Sequence, residues 1–170
     1  MRVIHVCASG GHKSQKWAYH LNQYEIELVF LKRNKSLILN IIREYFIKNT
    51  KIINYRYIPI PDQKGILSVS VNVLNIFLSI LISRILGLKI VWTCHNLFTD
   101  TVYKNLEYFI LNFLAKNSKA IFVLDPSIGN LVRTRYSYRK SIIPISFGSF
   151  DKIFEDSTSN LDVLRKKYNI

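Results

Sequence analysis

Acidic residues are scarce in this chain: 11 Asp and Glu stand against 24 Lys and Arg, a formal charge of +13. At the strand ends only Asp100 and Asp125 could offer a carboxylate to chemistry. Asp125-Pro126-Ser127 reads instead as a helix cap, an acidic side chain accepting from free first-turn N–H groups. Cysteine is scarcer still. Cys7 and Cys94 are the only two, each beside an apolar run, which excludes a disulfide framework and fits a reducing compartment. His5, His12 and His20 have no cysteine or carboxylate at ligand spacing, so no metal is expected. The six glycines make neither G-x-G-x-x-G nor a Walker sequence, and no acidic residue closes the second strand to hold a ribose. A dinucleotide dehydrogenase or an ATPase is therefore disfavoured. A G-x-S-x-G elbow is missing too, as are the RNP, KH, zinc-finger and helix-turn-helix patterns that would direct the positive charge to nucleic acid. Met1-Arg2-Val3-Ile4 leads straight into a strand without a charged and apolar leader, and a cytoplasmic protein is expected.

What is present is alternation. The runs "RVIHVCA" (2–8), "IELVFL" (26–31), "INYRYIPI" (53–60), "KIVWT" (89–93), "AIFVL" (120–124) and "SIIPI" (141–145) have the length and β-branched content of strands. Helical spacing of apolar residues fills the intervals: 13–22, 36–48, 66–86, 102–116 and 127–135. Short apolar strands separated by helices predict an α/β fold, a parallel sheet of about six strands covered on both faces in a Rossmann-like three-layer sandwich. The third run alternates and ends at two prolines, as an edge strand would. After residue 150 the texture becomes polar. Residues 1–150 are expected to be one Rossmann-like domain, and 151–170 a linker into a further domain. Residues 65–83 are uncharged over 19 positions, the length of a membrane span. The asparagines and serines inside that stretch favour a buried crossover helix, with contact to lipid or a lipid-linked substrate, and a transmembrane helix, as the alternatives.

Two strand ends carry the candidate site. "CASGGHKSQ" (7–15) follows the first strand, where Gly10 and Gly11 allow close backbone approach and a helix N-terminus can face a phosphate. "VWTCHNLF" (91–98) sends His95 and Asn96 out beyond the fourth strand. In a 3-2-1-4 strand order the first and fourth strands are neighbours, so Gly10, Gly11 and His95 would flank one crevice at the topological switch point. A neutral imidazole there could donate to a sugar hydroxyl, and a protonated one could face a phosphate.

With "LAKNSKAIFVLDPSIGNLV", "PISFGSF" and the closing "LRKKYNI", these segments resemble, in order and spacing, the N-terminal half of GT-B glycosyltransferases. The nearest likeness is to retaining family-four enzymes of bacterial capsule, O-antigen and exopolysaccharide synthesis. The resemblance implies an acceptor-binding domain facing a donor-binding domain across a cleft, and transfer from a nucleotide-sugar without a bound metal or other cofactor. It implies a catalytic role for His95, contacting the transferred sugar, and approach of Gly10 and Gly11 to the donor diphosphate. Ser9, His12 and Asn96 are the neighbouring substrate-binding candidates. Phe98-Thr99-Asp100 stands where many members carry Pro-His-Glu. The donor-gripping residues belong to the other half, so transfer needs a C-terminal domain or a partner chain. The basic charge and the long apolar helix suit an acceptor on a lipid diphosphate, and a protein peripheral at the inner face of the cell membrane. The S-G-G-H turn also resembles the non-catalytic, membrane-recruiting subunit of two-chain N-acetylglucosaminyl transferases, which is the alternative reading.

Overall fold

The computed structural model of the protein describes residues 1–7, 18–32, 36–56, 65–94 and 102–145. In chain order the elements are β1 (Arg2–Cys7), a helical segment α1 over residues 18–22, β2 (Glu27–Lys32), α2 (Leu37–Lys48), β3 (Ile52–Arg56) and α3 (Ile66–Ile85). They continue with β4 (Lys89–Cys94), α4 (Lys104–Asn117), β5 (Ala120–Val123), α5 (Pro126–Tyr136) and β6 (Ser141–Pro144). The strands form one all-parallel sheet in the order β2-β1-β3-β4-β5-β6. The chain is thus an α/β, Rossmann-like three-layer sandwich.

From β2 onward every crossover steps in the same direction across the sheet. Right-handed connections then stack α2, α3, α4 and α5 side by side on one face and put the β1–β2 connection on the other. The register shows how the sequence serves that arrangement. Residues paired across a parallel sheet share a face. Ile4, Ile53 and Ile90 form one row, and Val6, Tyr55, Trp92 and Ile121 the next. Every one of these seven side chains is buried, and together with the helices they form the main core. Tyr136 of α5 meets Trp92 edge-on at 5.8 Å, and Phe77 of α3 packs on Phe113 of α4 at 4.4 Å. Gly129 lets α5 lie close on β6: a Cβ there would come within 3.1 Å of the Ile142 side chain.

The long apolar helix α3 is a crossover of this kind, buried along one side only: Leu67, Val71 and Leu74 are exposed, and Arg84 lies in its last turn. Ser79 and Ser83 of α3 are fully buried, and each donates back to its own helix, to the carbonyls of Ile76 and Ser79, both at 2.7 Å. Their oxygens then meet the Tyr55 hydroxyl on β3, at 3.1 and 3.2 Å. The serines are there to satisfy a buried phenol, which is why an apolar helix of this length contains them.

Two expectations are corrected. The strand order is not 3-2-1-4: β3 lies between β1 and β4, so the first and fourth strands are not neighbours. For the same reason β3 is an interior strand. Its alternation reflects two different faces, Ile53 and Tyr55 against the helices and Asn54 and Arg56 away from them, rather than one face open to water. Proline marks the edge at β6, where Pro144 ends the outermost strand and needs no ladder partner beyond it. The tail 151–170 and its linker role lie outside the described residues.

Candidate functional site

In an open parallel sheet, ligands bind beyond the carboxyl ends of the strands where the chain reverses direction. Here that point falls between β1, which leads outward to β2, and β3, which leads the other way. The residues that end these strands are Cys7 and Arg56.

A line of polar side chains crosses the sheet just below this edge, on the face away from α2–α5. His5 of β1 is fully buried, edge-on to Phe30 at 5.5 Å, and its Nδ1 lies 3.2 Å from the Asn54 amide nitrogen. The Asn54 Oδ1 accepts from the Thr93 hydroxyl at 3.0 Å. With its oxygen engaged by threonine, Asn54 presents its NH2 to histidine. In that orientation Nδ1 accepts from the amide, which requires the neutral Nε2–H tautomer. Three central strands are pinned to one another by this chain. Its last member, Thr93, lies two residues before His95.

Arg56 follows Asn54 on the same face and is level with Thr93 in the register. It is half-buried, and burial pulls its pKa below the ordinary value, with the nearby Cys7 sulfur opposing the shift. A guanidinium stays charged at neutral pH even so. A partly desolvated cation at the switch point attracts an anion more strongly than one in open water.

Ser9, Gly10, Gly11, His12, His95 and Asn96 lie outside the described residues, as does Asp100. The strands that lead to them are defined. β1 stops at Cys7, two residues before Ser9, and β4 stops at Cys94, next to His95. Because β3 intervenes, these two strand ends are separated by two strand spacings, about 10 Å, rather than one. Arg56 closes the strand between them. Sequence reasoning passed over Arg56 and Asn54. Their signal was two polar residues at alternate positions in an otherwise apolar run.

The remaining candidates are placed as follows. Asp125 is a helix cap, accepting from the Ser127 N–H at 2.7 Å, and these hydrogen bonds from Ser127 lower its pKa. Cys7 and Cys94 are both buried thiols outside any disulfide, on opposite faces of the sheet. Burial pushes Cys94 up to about 12, so it remains a protonated thiol and not a nucleophile at neutral pH. His20 is exposed beside Tyr19. Among the described residues no three His, Cys, Asp or Glu side chains come together as a metal group. No protein-family model matches the chain, and no curated protein sequence is significantly similar to it.

Proposed function

We propose that this chain is the acceptor-binding half of a glycosyltransferase that moves a sugar from a nucleotide-sugar to a lipid-linked glycan acceptor in surface polysaccharide synthesis. One observation carries the reading. The carboxyl edge of the sheet presents a partly buried cation, Arg56, between the strand that precedes the Ser9-Gly10-Gly11-His12 sequence and the strand that precedes His95-Asn96.

Each part has a chemical task in this reading. The glycine turn brings backbone N–H groups close to a phosphate. Arg56 adds a positive charge for the substrate's phosphates, needed where no metal neutralises a leaving diphosphate. His95 orients the reacting sugar. Its position depends on β4, which the Thr93–Asn54–His5 chain holds in register with β3 and β1. The donor-binding groups come from a C-terminal domain or a partner chain.

The reading is tested in the source cell. Deleting the coding sequence should truncate or abolish a surface polysaccharide, and the wild-type sequence should restore it. His95→Ala or Arg56→Ala should fail to restore it while accumulating to wild-type level, with the conservative Arg56→Lys intermediate. An unchanged glycan profile on deletion, or full restoration by His95→Ala, would overturn the proposal.

A further inference from the structure

The chain His5–Asn54–Thr93 crosses three strands, with contacts of 3.2 and 3.0 Å and a fully buried residue at each end. Its middle and far members can each be used in two ways. The Asn54 amide exchanges its donating and accepting ends when it turns over, and the Thr93 hydroxyl can donate or accept. The chain therefore has two complete directions. In the one described above, Thr93 donates to Oδ1 of Asn54, and the amide donates to a neutral imidazole. In the reverse, Nδ1 of His5 donates to Oδ1, and the amide NH2 donates to the Thr93 oxygen. Both use the same strand positions and the same two contacts.

The charge on His5 selects between them. A proton taken up from solvent at Nδ1 would meet the donating end of Asn54 in the first direction, two donors face to face. The reverse direction gives that proton an acceptor. Nε2 carries a hydrogen in the neutral tautomer and in the cation alike, so its surroundings are not disturbed. The cost falls at the far end. Once Thr93 accepts from Asn54, its own buried hydrogen has to find another acceptor. Neutral His5 thus holds the first direction, and the proton turns the chain over.

The groups that face His5 keep the neutral form the resting one. On this face β1 carries Cys7, β2 carries Phe30 and, by register, Lys32, and β3 carries Asn54 and Arg56. Lys89 lies on it at the start of β4, and α1 on the same side of the sheet brings Tyr19 and His20, both exposed. The strand positions of this face include no carboxylate among the described residues. Burial and like charge both oppose the imidazolium.

We propose that His5, Asn54 and Thr93 form a proton-driven switch: protonation of His5 turns over the Asn54 amide and reverses the Thr93 hydroxyl, two residues before His95. Acidification on one strand is transmitted across the sheet as a change of hydrogen-bond direction, without a shift of the strands. The inference goes beyond the glycosyl-transfer reading and does not rest on it, since the chain reverses whatever the site binds.

The test is nuclear magnetic resonance of the full chain labelled with 15N and 13C, titrated from pH 8 to pH 4.5. At pH 8 the His5 ring should carry its hydrogen on Nε2. On acidification His5 should take up its second proton at a lower pH than the exposed His20. The Asn54 side-chain amide and the Thr93 side chain should shift with the same midpoint, while the backbone of β1, β3 and β4 holds its shifts. Asn54→Asp supplies a carboxylate that accepts from His5 and Thr93 together, so nothing has to turn over. Its His5 midpoint should rise by about one pH unit or more, and Thr93 should no longer follow it. A ring hydrogen on Nδ1 at pH 8 overturns the proposal. So does a His5 titration to which Asn54 and Thr93 do not respond, or the absence of any His5 titration before acid unfolding.

Discussion

The two faces of the same sheet are built on opposite principles. Toward α2–α5, β1, β3, β4 and β5 present Ile4, Val6, Ile53, Tyr55, Ile90, Trp92, Ile121 and Val123, each at most 2% exposed. On the other face the same strands present His5, Asn54 and Thr93, joined by hydrogen bonds, with Arg56 level with Thr93 in the register, among the half-buried Val91 and Phe122. The first face owes its stability to apolar area removed from water, which is non-directional and tolerant of detail. The second depends on partners in fixed geometry, because a buried polar group left alone is expensive. Non-directional packing can hold a sheet together. Only directional bonding can fix a strand end closely enough to aim a functional residue, and it is the polar face that leads to the candidate site.

The largest effect is expected from breaking the packed face. Trp92→Ala removes a buried indole from the centre of the core and should cost about 3–5 kcal/mol, read as a lowered denaturant midpoint. Val91→Ala, the adjacent residue on the half-buried face, should cost roughly 1 kcal/mol. Equal losses from the two would erase the distinction between the faces.

Next comes the polar face. Asn54→Leu removes the shared partner of Thr93 and the Nδ1 of His5 and should cost about 2–6 kcal/mol, at about 1–3 kcal/mol for each lost hydrogen bond. Thr93→Val in that background should then cost little, because the hydroxyl it removes has already lost its acceptor. Additive losses in this double-mutant cycle would show that the chain does not act as a unit.

The smallest effect at neutral pH, that of Tyr55→Phe, returns to the packed face and changes with pH. Burial pushes Cys94 and Tyr55 up to about 12, from ordinary values of 9.0 and 10.0. Between pH 9 and 12 the unfolded chain loses these protons while the folded chain keeps them. The unfolded state therefore binds fewer protons, and stability falls as pH rises, approaching about 1.4 kcal/mol per pH unit for each group. Tyr55→Phe should cost about 1 kcal/mol at neutral pH and flatten the decline above pH 10. Denaturation curves from pH 7 to 11 measure both. A slope that is the same with and without the phenol would remove Tyr55 from the account.

Most of the element boundaries were legible in the sequence because local signals set them. Periodicity gave the strands and helices, the Asp125-Pro126 pair marked the start of α5, and the thiols could be recognised as buried because Cys7 and Cys94 end apolar runs. The long helix at 66–85 was also readable as a crossover, since serine inside an apolar stretch suggests a buried partner. Which partner it was, Tyr55, could not be read. Arg56 and Asn54 escaped notice for the same reason. Their meaning depends on which strands flank β3, and an alternating run looks alike at an edge and in an interior whose second face is polar.

By itself the sequence determined the class of this protein. A chain of apolar strands separated by amphipathic helices can bury its backbone polar groups and its apolar faces together in a parallel, doubly covered sheet. It also determined the sign of the surface charge. Strand order was decided only in three dimensions, because each connecting segment is long enough to reach more than one neighbouring position. With that order came the placement of Arg56 between the ends of β1 and β4, the hydrogen bonds joining His5, Asn54 and Thr93, and the apolar outer face of α3. Each is a relation between residues far apart in the chain, fixed by packing rather than by local propensity.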